Sequence, residues 1–294
     1  MMGLMLLSVA CDQGTVLEQA TAEFDKGNFR EAIFILRHHF RKGGQRTPEL
    51  LFLEGKALLA LGIEAEADDS FAEIYSIDTT WAPVIAEVFR EEALSSLDKG
   101  LQARGNRFII RTANYARNAD FGKYSSVAGK LLLERKDFEG AIFYFSRFME
   151  SHPDTAGAAE VMMDLAAAYE GKGEKIKAID IYRRFKETYP RSRLVSTAVW
   201  KLENMLLSSG EELFSGGETD EAENVLLELS RDADNPLVKE KAYYMLARIY
   251  ESRHETGKAI EFYSRIVHMN LGSSGRLVEN AKERIVELEK ARSR

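Results

Sequence analysis

One short phrase is written into this chain three times. Lys136-Asp137-Phe138-Glu139-Gly140-Ala141-Ile142 returns as Gly173-Glu174-Lys175-Ile176-Lys177-Ala178-Ile179, and again as His254-Glu255-Thr256-Gly257-Lys258-Ala259-Ile260. An aromatic follows each alanine by four residues (Phe145, Tyr182, Tyr263), and Pro153 and Pro190 follow two of the alanines by twelve. Repetition of a unit this size is the signature of a solenoid, where each repeat buries its apolar face against its neighbours. Solenoids mostly present binding surfaces, so the pattern weighs against catalysis.

The spacing within each unit resembles the tetratricopeptide repeat (TPR), with small residues at positions 8 and 20 and a large apolar residue at 24. Helices of a hairpin approach closely only where side chains are small. The large residue at 24 fills space towards the next hairpin, and proline near 32 stops the second helix. Aligned on position 20, the copies centre on Ala32, Ala67, Ala141, Ala178, Ala222 and Ala259, with Leu36, Phe71, Phe145, Tyr182, Leu226 and Tyr263 at 24. The separations are 35 residues for the first pair, then 37, 44 and 37 from Ala141 onward. The 44 implies about two extra helical turns, placed in a long helix over Ser192–Ser215. The 74 residues between Ala67 and Ala141 leave room for one divergent hairpin, Trp81–Asp98 followed by Gln102–Asn118, with Gly100 and Gly105 marking its turn. Apolar residues at helical spacing from Leu277 to Leu288 read as a capping helix. The expected fold is therefore all-α: a TPR superhelix (α-solenoid) of about six to seven helical hairpins with a C-terminal capping helix. Its expected parts are a signal-like segment at 1–10, divergent N-terminal repeats at 11–121, and C-terminal repeats with the cap at 122–294.

The chain has a single cysteine, which excludes an internal disulfide framework and a multi-thiolate zinc site. Its place is informative. An apolar run, Met1–Ala10, ends at Cys11, and the polar Asp12-Gln13-Gly14 follows. This resembles the end of a bacterial lipoprotein signal, although Ser8 stands where a lipobox usually has leucine. The resemblance implies lipid modification of Cys11; the alternative is a hydrophobic N-terminus with a buried thiol. The phrase closing at Tyr189-Pro190-Arg191-Ser192 ahead of a long helix resembles periplasmic TPR lipoproteins of envelope assembly. These include the TPR lipoprotein of the outer-membrane β-barrel assembly machinery and the TPR partner of the Tol–Pal system. That resemblance implies a bacterial periplasmic location, membrane-anchored through lipid.

Catalytic and metal-binding patterns are sparse. The five histidines contain no His-x-x-x-His pair, and His39 falls in an apolar slot where packing is expected. No Gly-x-Ser-x-Gly elbow or phosphate loop is present, so no catalytic residue, metal site or cofactor is expected. A net charge of -7 disfavours a nucleic-acid binder. Glu64, Glu66, Asp68 and Asp69 read as a solvated helix start. Arg104, Arg107 and Arg111, at i, i+3 and i+7, form an alternative basic face that reads as solvated or as a patch for an acidic partner. First-helix positions 2, 5, 9 and 12 of the better copies should line a concave groove; they include Lys130, Leu133, Met163, Glu170, Tyr244 and Arg248. The alternative for Met163 and Tyr244 is packing between repeats. The set lacks the Lys/Asn pattern by which some TPR domains clamp a C-terminal carboxylate. A peptide or helix of a protein partner is the expected occupant. The sequence thus predicts an interaction scaffold or adaptor in envelope assembly. The alternatives are a TPR accessory subunit of a transporter or of the Tol–Pal division system, and, less favoured, an enzyme or metal protein.

Overall fold

The computed structural model describes residues 15–293 apart from 153, 154, 156 and 271–274. Every regular element among the described residues is helical. The chain divides into two compact units, Met1–Leu132 and Leu133–Arg294. The first holds α1 (15–25), α2 (Phe29–Arg41), α3 (Pro48–Ala60), α4 (Glu64–Ile77), α5 (Ala82–Asp98) and α6 (Gln102–Tyr115). Helix α7 (Ser125–Glu134) reaches the division. The second holds α8 (Phe138–Ser151), α9 (Ala158–Lys172), α10 (Lys175–Thr188), α11 (Val195–Gly216), α12 (Thr219–Asp232), α13 (Pro236–Ser252), α14 (Thr256–Met269) and α15 (Arg276–Arg292). Consecutive helices pack as hairpins: α3 on α4 and α5 on α6 in the first unit, α9 on α10, α11 on α12 and α13 on α14 in the second.

One backbone device makes these hairpins. The residue five before the position-20 alanine is left-handed in each copy. Gly27, Gly62, Gly173 and Gly217 have φ of 80°, 77°, 82° and 88°, and Lys136 and His254 have 62° and 61°. A left-handed residue ends the first helix and redirects the chain into the second, which is why glycine prevails there. Gly100, with φ 75°, occupies the same place in the divergent copy. Five residues on stands Gly105, so the copy keeps its register with glycine in place of alanine at position 20. This corrects the expectation that Gly105 marks the turn. It lies buried inside α6, where a Cβ would meet Leu97 Cγ at 2.5 Å and the Ala93 carbonyl at 3.3 Å.

The small and large positions meet as expected. All six position-20 alanines are fully buried, and the six position-24 residues are exposed by 1% or less. A Cβ on Gly55 would lie 2.7 Å from Phe71 Cζ, and one on Gly210 2.7 Å from Leu226 Cδ2. The Phe71 ring also stands edge-on to Phe89 of the next hairpin, centroids 5.1 Å apart. His39 is packed rather than presented: a Cβ on Gly44 would meet its ring at 2.2 Å. The long helix is α11, of 22 residues. Counting back nineteen positions from Ala222 puts the start of its repeat at Glu203, so 195–202 are an N-terminal extension of two turns. Helix α15 buries Val278 and Ala281 and packs on α14, as a cap should.

Candidate protein-interaction surface

In the second unit the first helices of successive hairpins are α9, α11 and α13. Their positions 2, 5, 9 and 12 are largely half-buried or exposed. Met163 and Ala167 are half-buried on α9, Tyr244 is half-buried and Arg248 exposed on α13. On α11 the same positions hold Asn204, Leu207, Glu211 and Phe214, of which Leu207 is buried. This is a mixed apolar and charged surface, the composition expected for a peptide or helix partner.

Several of these side chains also tie hairpins together. Glu170 accepts a hydrogen bond from the Tyr182 hydroxyl and pairs with Lys201 Nζ of α11 at 3.0 Å. On α13 the arrangement recurs: Glu251 pairs with Arg284 of α15 at 2.5 Å, with the phenol of Tyr263 acting on the same carboxylate. Each time a position-24 tyrosine reaches a position-12 glutamate, and that glutamate takes a cation from the next first helix. Burial and the adjacent carboxylate push both phenols well above their ordinary value. Burial opposes ionisation of Glu251, but the Arg284 and Tyr263 hydrogen bonds outweigh it and hold the carboxyl below the usual range. Tyr244 stands edge-on to Tyr263 at 5.7 Å, and Arg248 lies 5.6 Å from the Phe214 ring centroid. Glu170 and Tyr244 therefore serve the packing between helices as well as lining the surface. Sequence spacing held the signal for the Tyr–Glu–cation set, since 170/182 and 251/263 share a separation of twelve.

On α7, Lys130 is exposed and Leu133 half-buried. In the first unit the alternative basic face and the acidic helix start are one network. Arg111 Nη1 meets Glu64 Oε2 at 2.9 Å and its Nη2 meets Asp68 Oδ2 at 2.7 Å. Arg107 reaches Glu64 at 3.2 Å, and Arg104 reaches Glu92 at 3.0 Å and Glu64 at 3.3 Å. Burial pushes the Glu64 carboxyl up, but Arg107 and Arg111 outweigh it and hold it below its usual range. The basic face thus takes carboxylate partners from α4 and α5 of its own unit, while Glu66, Asp69 and Arg107 remain exposed. Glu66, in the same stretch, pairs with Arg37 at 2.6 Å.

Among the described residues no group of three or more His, Cys, Asp or Glu is placed to hold a metal. No helix among them is long and apolar enough to cross a membrane. Cys11 and Pro153 lie outside the described residues.

Models of the tetratricopeptide repeat match residues 160–192 and 240–272. These segments cover the α9–α10 and α13–α14 hairpins. No curated protein matches the chain. Among solved structures it is similar to a tetratricopeptide repeat protein from Parabacteroides merdae, at 14% identity over 94% of this chain and 98% of that one, TM-score 0.32. It is also similar to the C-terminal part of a TPR repeat-containing protein from Cytophaga hutchinsonii, at 15% identity over 92% and 99%, TM-score 0.36. A chain of the Naa15/Naa10 structure bound to HypK-THB matches at 12% identity and TM-score 0.39; there 94% of this chain spans 39% of that one. The repeat matches, the left-handed turns and the buried small residues agree: this chain carries tetratricopeptide repeats and folds as an all-α TPR solenoid.

Proposed function

We propose that the chain is a protein-interaction scaffold, held at a bacterial envelope membrane through lipid on Cys11 and acting in outer-membrane protein assembly. The observation that carries the scaffold reading is the mixed surface on the first helices of the second unit. There Met163 and Tyr244 offer adaptable apolar area, and Arg248 offers charge, on rigid hairpins. The envelope reading rests on the lipobox-like run ending at Cys11 and on the Tyr189-Pro190-Arg191-Ser192 closure.

The test is capture of partners from solubilised envelope by the intact chain. β-Barrel assembly subunits in the eluate support the reading, whereas Tol–Pal or transporter subunits replace it with a different envelope role. Met163→Glu combined with Arg248→Glu should abolish capture while leaving helicity and melting unchanged. Mass spectrometry of the mature N-terminus decides the anchor. A chain beginning at a diacylated Cys11 is expected, since stable anchoring takes two acyl chains or more. A native chain retaining Met1 overturns it.

A further inference from the structure

The two-turn extension of α11 helps to form a cleft. Val195, Ser196, Val199, Trp200 and Glu203 share one helical stripe, at i, i+1, i+4, i+5 and i+8. Together with Lys186, Pro190, Asp234 and Asn235 they line this cleft of about 490 Å³. Trp200 is 54% exposed, and no ring or cation among the described residues stacks on its indole. Glu203 is only 4% exposed. Its Oε1 accepts the backbone N–H groups of Asp234 and Asn235, the latter at 3.4 Å, which pins the α12–α13 loop beside α11. Its Oε2 accepts no hydrogen bond from the described residues. Asn235 spends its amide oxygen on the Leu237 N–H at 3.0 Å, whereas the Asp234 side chain is exposed. The cleft thus combines an open indole face, aliphatic walls from Val195 and Pro190, and two carboxylates against the single ammonium of Lys186.

We propose that this cleft docks an arginine-bearing segment of a protein partner, the guanidinium lying against Trp200 and paired with the carboxylates of Glu203 and Asp234. The chemistry is specific to that side chain. A planar, weakly hydrated guanidinium stacks on an aromatic face and forks onto carboxylate oxygens, and its three-carbon stem suits the valine and proline walls. Occupation also supplies donors to Glu203 Oε2, which accepts none from the described residues. The proposal rests on the scaffold reading for its biological sense, but the cleft can be tested by itself.

The probe is acetyl-Gly-Leu-Arg-Leu-Gly-amide, titrated into the intact chain by calorimetry and by quenching of Trp200 emission. The control is the same peptide with citrulline, which keeps the shape and removes the charge. Saturable binding is expected, weakened roughly tenfold by citrulline and lost in Trp200→Ala. Asp234→Asn, at an exposed side chain, should weaken binding about threefold without touching the loop contact, and so separates charge from folding even where Glu203→Gln loosens the loop. Equal binding of the two peptides, no saturation by the arginine peptide, or undiminished binding to Trp200→Ala overturns the proposal. Envelope capture by the wild-type chain together with a silent peptide titration rejects the cleft and keeps the scaffold. Peptide binding without any envelope capture rejects the scaffold and keeps the cleft.

Discussion

The phenol of Tyr182 donates a hydrogen bond to the carboxylate of Glu170, twelve residues earlier on the facing helix of the same hairpin. Glu170 in turn holds Lys201 of the following hairpin. Tyr263, Glu251 and Arg284 repeat the arrangement two hairpins on. In a solenoid, stability is the sum of repeat and nearest-neighbour interface contributions. A residue set that spans both a hairpin and its interface couples the two.

That coupling is measurable. Tyr182→Phe and Lys201→Met should each lower stability, by about 1–2 kcal/mol and less than 1 kcal/mol respectively. The double variant should lose less than the sum, because both act on one carboxylate. Additive losses in denaturant unfolding would show that the three groups act independently. The pH dependence follows from the raised phenol. The folded pKa of Tyr182 lies above its unfolded value of 10.0, so the folded state holds a proton that the unfolded state releases. Its contribution is full below pH 10 and declines as pH rises towards the folded value. Tyr182→Phe should flatten that alkaline limb.

In the first unit, Glu64 contributes to the acid limb. Glu64 sits below its ordinary value of 4.5 because Arg107 and Arg111 favour its ionised form over the opposing effect of burial. Its contribution is present above the unfolded value and is lost as pH falls through the folded one. Glu64→Gln should therefore be less stable than wild type at neutral pH, with the difference closing below about pH 4. A constant difference across that range would mean that the arginines do not act through the charge of Glu64.

The parts of the fold legible in the sequence are those where the backbone leaves few choices. Gly62, Gly173 and Gly217 stand at left-handed turns, and Ala141, Ala178 and Ala259 stand where two helices cross; both needs are written in single residue types. The divergent copy was legible as two helices but not in register. Its crossing residue is Gly105, a type that also signals turns, and the recurring phrase around it is gone. The candidate surface was legible as a set of helix positions, whereas its charge partners were not. Arg111 and Glu64 are 47 residues apart, and nothing local in either segment encodes the other. Trp200 was not legible because it lies ahead of the repeat frame, in the extension that the 44-residue spacing implies without fixing its faces.

Close approach at the crossings gives a packing prediction. Gly55→Ala would place a methyl group 2.7 Å from Phe71 Cζ, and Phe71 is itself fully buried against Phe89. The ring has nowhere to retreat, so the substitution should cost about 1–3 kcal/mol. Phe71→Leu in the same chain should recover part of the loss, because the smaller side chain vacates the contact. Ala178→Leu should be destabilising by a similar amount, as Ala178 is fully buried. Unchanged denaturation midpoints for Gly55→Ala and Ala178→Leu would refute the assigned register.

The turn at position 15 separates backbone strain from packing. Gly173 has φ 82° with nothing within 4 Å of a built Cβ, so Gly173→Ala meets no neighbour and its cost is conformational alone. His254 and Lys136 hold the same left-handed turn at φ 61° and 62° with side chains that disfavour it. Replacing either by glycine relieves strain in the folded chain, while the added freedom of the unfolded chain works against it. Strain is the larger of the two at a left-handed residue, about 1–2 kcal/mol against roughly 0.5–1 kcal/mol. His254→Gly and Lys136→Gly should therefore raise stability by up to about 1 kcal/mol, and Gly173→Ala should lower it by a comparable amount. Thermal and urea unfolding of the three variants checks the signs. A destabilised His254→Gly, with Gly173→Ala neutral, would mean that the His254 side chain makes contacts worth more than the strain its backbone carries.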